Sequence, residues 1–419
     1  KERHSRVSSV RDLVIIGGGA AGIGAARQAH AQGVEPLIVE AKDRLGGRAY
    51  TIEWNGFRLD LGCTWMHSAE RNSLRVEAER LGAKIDRRGT NWFGQYRDLG
   101  WSRADQDEAF AAFEQLENRM NEDAPQSDRA ADALVPNGKW NQWLEAICGY
   151  INGAPLANVS VEDWLAYDNA SSAQNLRLAD GYGHLLCSLG KKFDHRLNTC
   201  VTAISRRTQR VELETSSGVI EAKRVIVTVP TSTLWRIRFD PPIDEVLDAA
   251  EHLPLGLANK LFLALSEPEE FPFDAHLVGN PHSSETGSYF LRPMGIPVVE
   301  GFFGGNGART LEELGEKGAA AFAIDELAAL LGSSFRKRVQ ALQMSSWGHE
   351  PFIEGSYSHA CPGFAAAREL LANAGDDRIV FAGEAVSRTD YSTAHGAYDS
   401  GIRAVRKLLA TTLAAREPQ

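Results

Sequence analysis

The 419-residue chain has no uninterrupted apolar run approaching the ~18 residues of a helical membrane span, so no such span is expected. It has no C-x-x-C pair. Its five cysteines, Cys63, Cys148, Cys187, Cys200 and Cys361, are odd in number and irregularly spaced. That argues against zinc and dithiol chemistry and reads as free, mostly buried thiols; no metal site is expected. Positive charge is also short: 45 Lys and Arg face 55 Asp and Glu, for a formal net charge of −10. A nucleic-acid partner is thereby disfavoured, and a cationic small molecule suits the balance better. Repeats and low-complexity segments are absent. The first residue is Lys1 rather than Met, so the compartment reads as cytoplasmic, or as periplasmic or exported where a signal segment has been trimmed. The oligomeric state is open, a homodimer included.

What is present is the composition of a folded soluble protein, 43% hydrophobic and 24% charged, long enough for two domains or one interrupted by another. Leu13–Ile16 is a short buried strand, followed at once by G-x-G-x-x-G at Gly17, Gly19 and Gly22. A helix with small residues, Ala25, Ala26 and Ala29, comes next. A second buried strand over 34–39 ends at Glu40. Glycines at this spacing allow a tight turn, close approach of backbone to a pyrophosphate, and helix–strand contact. The helix N-terminus adds positive partial charge. Glu40, 18 residues past Gly22, stands where a carboxylate can accept hydrogen bonds from ribose hydroxyls. Arg44-Leu45-Gly46-Gly47-Arg48 follows, a second glycine pair with an arginine able to face a diphosphate. Nucleotide binding is the expectation, and this second pair resembles flavoproteins in which FAD lies extended.

Farther along, 57–68 reads as extended, and the stretch from 74 to 175 reads mainly as inserted helices rich in Trp and polar residues. Alternating strands run from Val201 to Pro230. Further strands, and a helix from Gly315 to Leu331, make a second sheet. A last buried strand, Ile379–Ala382, resembles the first. If both lie in one parallel sheet, Gly383-Glu384 stands at the carboxyl edge where ligands bind. An amphipathic helix then runs from Gly401 to Ala415, capped from Gly396 onward, and the tail beyond is expected to be loose.

The motifs "VIIGGGAAGIGAA", "VEAKDRLGGRAYT", "LDLGCTWMHSAERNSL", "NKLFLAL", "SSWGHEPFIEGSYS" and "FAGEAVSRTDYSTAHGAYDSGIRA" together resemble the flavin-dependent amine oxidases along nearly the whole chain. The likeness is greater to polyamine oxidases and lysine-specific demethylases than to mammalian monoamine oxidases. It implies an α/β fold: a Rossmann-type FAD domain in discontinuous segments (1–75, 176–260 and 340–419) and a mixed-sheet and helical substrate domain (76–175 and 261–339). It implies FAD contacts at Gly17, Gly19, Ala21, Gly22, Glu40, Gly46, Gly47, Arg48, Val201, Gly383, Glu384 and Ala394. Lys260 matches a lysine bonded through water to flavin N5. Trp347 matches an aromatic beside the flavin, Tyr357 one wall of an aromatic cage, and His67 a histidine on the substrate side. Ser356 stands where monoamine oxidases carry the flavin-linking cysteine, implying non-covalent FAD. Thr393 stands where they carry the second cage tyrosine, implying a wider half-cage.

The implied reaction is oxidation of an amine, a polyamine or other alkyl amine, to an imine that water splits to aldehyde and amine. Dioxygen is reduced to hydrogen peroxide. The amine must react neutral, because a protonated nitrogen has no lone pair to expel hydride. Aromatic walls without a nearby carboxylate would favour that form. Lys260 lies in an apolar strand in which Lys260 and Phe262 share one face, with Leu261 and Leu263 on the other. An L-amino-acid oxidase is the nearest alternative, with Arg292 as the carboxylate clamp. A desaturase or protoporphyrinogen-type oxidase is more distant and is disfavoured by Lys260. His395, Tyr391 and Tyr398 read as structural.

Overall fold

The computed structural model describes residues 10–414 apart from 90 and 93, so the tail after Ala415 lies outside the described residues. Its centre is an eight-stranded sheet. The order is Arg238–Asp240, Val201–Arg206, Val211–Thr215, Gly218–Val227, Arg11–Ile16, Pro36–Val39 and Asp194–Arg196, with Ile379–Phe381 also paired to Gly218–Val227. The strand Gly218–Val227 has two halves. Its first residues form an antiparallel hairpin with Val211–Thr215. Its last, Val225, Ile226 and Val227, pair in parallel with Arg11–Ile16 on one side and Ile379–Phe381 on the other. These three strands are buried apolar runs because helices cover the sheet. The first and last strand motifs of the chain therefore share the parallel part of one mixed sheet, and Gly17, Thr228 and Gly383 follow its strands at their carboxyl ends.

The helices Ala20–Ala31 and Ala394–Ala414 cross over this sheet in tight contact. A Cβ on Gly401 would stand 2.0 Å from the Ala21 carbonyl oxygen, so only glycine permits the approach. The last helix begins at Ala394, seven residues before the expected Gly401. Thr393 is its N-cap, accepting from the Gly396 amide at 2.9 Å. The cap therefore falls on Thr393 rather than on Gly396 onward, because a hydroxyl can satisfy a free first-turn amide and glycine has no side chain to do so.

The second sheet orders Ala275–Val278, Ser288–Leu291, Val298–Gly304, Ala258–Leu265 and Val339–Met344. Alternation sends Leu261, Leu263, Tyr289 and Phe303 into a core against the helix Asn306–Leu331. Phe262 faces the other way, among Leu59, Leu61 and Val298. That helix starts nine residues before the expected Gly315, which instead breaks it at φ +66. The sheet's own limits are Ala258 and Met344, so its strands reach across positions 260 and 340. The inserted helices include Arg103–Glu122, Asn141–Asn152 and Val161–Asp168. They share a core of Trp101, Trp140, Trp143 and Trp164. No described helix is long and apolar enough to cross a membrane.

A buried ion pair ties the insert to the first sheet. Arg368, fully buried, binds Asp163 at 2.5 and 2.8 Å. It also donates to Ser358 Oγ at 2.9 Å and the Ala385 carbonyl at 3.1 Å. Its guanidinium lies 3.7 Å from the centre of the Tyr391 ring. Removing one partner of such a pair strands a charge in the interior. Arg368→Ala should therefore lose about 3–5 kcal/mol of unfolding free energy by urea titration. Adding Asp163→Ala should cost less than the two single changes summed; strict additivity would show that the pair does not hold the insert.

Candidate active site

At the carboxyl edge of the first sheet, Gly17 takes φ +106, and its amide donates to the Val39 carbonyl at 2.8 Å. Gly22 packs the helix onto this turn, since a Cβ there would meet the Gly17 oxygen at 1.9 Å. The second glycine pair is pinned to the first: Gly46 N–H donates to Gly18 O at 2.8 Å, and Gly19 bridges Gly46. No side chain caps the helix Ala20–Ala31, so its first amides are left for an anion. A Cβ on Gly383 would meet nothing within 4 Å, and one on Gly19 only the Gly47 Cα at 3.9 Å. Glu40 accepts from the Gly18 and Lys42 amides at 2.6 and 2.8 Å. Burial raises its pKa, and those amides oppose the rise. The turn, the uncapped helix and the open backbone fit the diphosphate and ribose of a dinucleotide.

From this cradle a single cavity of about 960 Å³ runs into the space between the two sheets and the inserted helices. Of the site residues singled out in the sequence, all line it except Gly22, which lies beneath the turn, and Arg292. Glu40 and Val201 stand at one end. Arg48 lies midway, donating to the Ser356 carbonyl at 2.7 Å and to Glu384 at 2.9 Å. Glu384 also receives the Ser358 amide and hydroxyl (3.1 and 2.7 Å) and the Ser392 amide at 2.8 Å. Burial alone would raise its pKa, but Arg48, Arg368 and these donors hold it below the usual value. Ser356 Oγ is engaged with the backbone of Ala258 at 2.7 Å, and no thiol stands at that position.

Beyond lies the second sheet. Trp347 is buried and fixed by Asn259 and the Leu61 carbonyl at 3.0 and 3.2 Å. Tyr357 donates to the Tyr150 carbonyl at 2.6 Å, and its burial raises its pKa. His67 Nδ1 lies 2.8 Å from Asn175 Oδ1, while Asn175 Nδ2 donates to Ala173 O. The amide orientation therefore gives Nδ1 the proton and leaves Nε2 a lone pair. Burial lowers the His67 pKa to about 4, so the ring is neutral. Thr393 Oγ1 is committed to the cap and to the Asp390 carbonyl at 2.7 Å. His395 is structural, 3.1 Å from Asp390.

Three carboxylates that were not singled out in the sequence, Glu300, Glu117 and Asp168, line the cavity. Glu300 lies 2.8 Å from Lys260 Nζ, which also donates to Thr64 Oγ1. Glu117 lines the aromatic chamber with Trp143, Trp164 and Tyr167. Its pKa is pushed up to about 7 by burial, then by Asp168 and Glu114. Asp168 lines the chamber too, and burial raises its pKa. None of the three was legible as a site residue. Glu117 looks like any polar position of an amphipathic helix, and the one signal for Glu300 was a lone acid in "VVEGFFGG". Arg292 does not line the cavity. It donates to the Phe271 carbonyl and rests 4.6 Å over the Phe273 ring, so it cannot serve as the carboxylate clamp of an amino-acid oxidase. Tyr391, read as packing alone, also forms cavity wall, 5.3 Å from Tyr167.

Comparison with known proteins agrees with this geometry. The family described as "Flavin containing amine oxidoreductase" matches residues 168–409, and an NAD(P)-binding Rossmann-like domain matches residues 15–78. The chain is 28% identical to Polyamine oxidase 2 of Arabidopsis thaliana, over 94% of this chain and 86% of that protein. It is 26% identical to Lysine-specific histone demethylase 1 homolog 2 of the same plant, over 95% of this chain and 58% of that protein. A solved structure of putrescine oxidase bound to putrescine shares the fold, with a TM-score of 0.80 at 19% identity over 96% of this chain and 99% of that one. The chain thus belongs to the flavin containing amine oxidoreductases, with FAD as its cofactor.

Proposed function

We propose that the enzyme oxidises a diamine or polyamine to an imine that water hydrolyses to an aldehyde and an amine, with dioxygen reduced to hydrogen peroxide. The observation that carries the reading is the pair Glu117 and Asp168, set in an aromatic chamber on the same cavity as the nucleotide cradle. Among the described residues, no cation is one of the groups acting on either acid. A second ammonium on the substrate supplies the missing charge, and the rings around it stabilise a cation. FAD, once bound, accepts the two electrons and hydrogen lost from the carbon next to nitrogen. Its domain is proposed to comprise 1–75, 176–260 and 340–419, and the substrate domain 76–175 and 261–339.

The chain's own groups bind and orient. The neutral His67 offers Nε2 to an N–H of the substrate and cannot repel it by charge. Tyr357, fixed through its hydroxyl, gives the reacting nitrogen a ring face. Thr393, with its hydroxyl engaged in the cap, leaves the other side open for an alkyl chain. Trp347 would pack beside a bound flavin, and Lys260 would face its ring. The acids are remote from Tyr357 in role: they hold the distal end charged while the enclosed proximal end favours the neutral amine.

Anaerobic mixing with an amine panel tests this, with bleaching of the flavin band near roughly 450 nm as the readout. Diamines and polyamines should reduce the flavin with kcat/KM at least about tenfold above monoamines of equal length. Reduction only by amino acids would overturn the reading. Glu117→Gln should raise KM for diamines about 10–100-fold and leave monoamines nearly unchanged. Glu117 loses its charge as pH falls through about 7. The diamine-to-monoamine ratio of kcat/KM should therefore fall from pH 8 to pH 6 in the native enzyme and stay flat in Glu117→Gln. Lys260→Met should slow reoxidation by dioxygen more than reduction by amine; equal rates to the native enzyme in both would remove Lys260 from the mechanism.

A further inference from the structure

Glu300 is the single acid of the strand Val298–Gly304. Alternation turns Val299 and Phe303 into the core, while Glu300 and Phe302 line the cavity. Its Oε1 lies 2.8 Å from Lys260 Nζ, with side chains only 15% and 7% exposed. Thr64 accepts a second hydrogen bond from Lys260. Asp60 and Cys63 also feel the lysine's charge. Asp60 is held elsewhere, by the Thr51 hydroxyl and by the Tyr182 amide at 3.0 Å, so Glu300 is the direct partner.

A lysine is a point charge on a flexible four-carbon stem, and an unpaired ammonium in an enclosed site is costly. We propose that Glu300 is a positioning residue for Lys260, and that the two face the flavin as one net-neutral pair. Glu300 fixes where the ammonium stands and offsets its charge. The potential of the bound cofactor and its reoxidation then depend on the pair rather than on the lysine alone. In that step the reduced cofactor gives two electrons to dioxygen, which leaves with two protons as hydrogen peroxide. The Lys260 ammonium shields the negative charge that dioxygen gains. This inference rests on the assignment of Lys260 to the flavin ring made above.

The test uses the holoenzyme with Glu300→Gln, Lys260→Met, the double variant and Glu300→Asp. The midpoint potential is read by dye-coupled titration, and reoxidation after anaerobic chemical reduction. Glu300→Gln should raise the potential, Lys260→Met should lower it, and the double variant should return near the native value. Reoxidation should fall about fivefold in Glu300→Gln, with no further loss in the double variant beyond Lys260→Met, and Glu300→Asp should recover most of it. In the FAD-free protein, thermal unfolding of the double variant should be less impaired than the single effects summed. A shifted potential in Lys260→Met with none in Glu300→Gln, or additive losses in both reoxidation and unfolding, would overturn the role of Glu300. No shift in Lys260→Met would remove the lysine's role, and this inference with it. If Glu300→Gln does not fold, Glu300→Ala decides: a raised potential supports the pair, and an unchanged one overturns it.

Discussion

The arrangement of the site depends on one run of buried charge. Arg48, Glu384, Ser358, Arg368 and Asp163 are linked by contacts of 2.5–2.9 Å. They come from the second glycine loop, the C-terminal cofactor segment and the inserted helices. The buried charges Glu384, Arg368 and Asp163 would not be tolerated alone in the interior, and Arg48, 26% exposed, closes the run. Each fixes the next, so the cofactor cradle and the substrate chamber are registered by the same network. Tyr391 shows the consequence: one ring rests on Arg368, bonds the Asp163 carbonyl at 3.0 Å, and presents itself to the cavity.

The cradle was the most legible part of the chain. The turn at Gly17, the packing at Gly22 and the acid at Glu40 are local, and their spacing is set by the length of one strand and one helix. The parallel pairing of Ile379–Phe381 with Val225–Val227 was legible only as a condition, because sequence gives a strand's character and not its neighbour. The shared face of Lys260 and Phe262 followed from period-two alternation alone. What did not follow was what that face meets. Glu300 is diagonal to Lys260 across the sheet, 40 residues later, and nothing in either local pattern announces the contact.

The inserted helices were legible as helices and mute as a site. Glu117 lies on Arg103–Glu122 among other acids such as Glu114 and Glu122. Solvent and cavity demand the same residue types from an amphipathic helix, so composition cannot tell an exposed face from a lining one. The difference is made by the fold, which sets Glu117 on one cavity with Trp143, Trp164 and Tyr167 of other helices; burial, then Asp168 and Glu114, push it up to about 7. The sequence marks this segment as inserted helices rich in Trp and polar residues and singles out none of its acids. The enclosed acid is a product of tertiary packing.

Thr393 illustrates how two demands can meet in one residue. As a position beside the flavin it was read for what it lacks, an aromatic ring. In the fold its hydroxyl closes the first turn of the helix Ala394–Ala414, accepting from Gly396 and donating to Asp390 O. A tyrosine there would present its hydroxyl several ångströms from the backbone and leave that turn uncapped, a loss of about 1 kcal/mol. The helix packs against the first helix of the cradle with no room for a side chain at Gly401, so its start is fixed and cannot slide to find another cap. The small residue at this point of the cavity wall is thus required by the helix as well as suited to the wide amine channel proposed above.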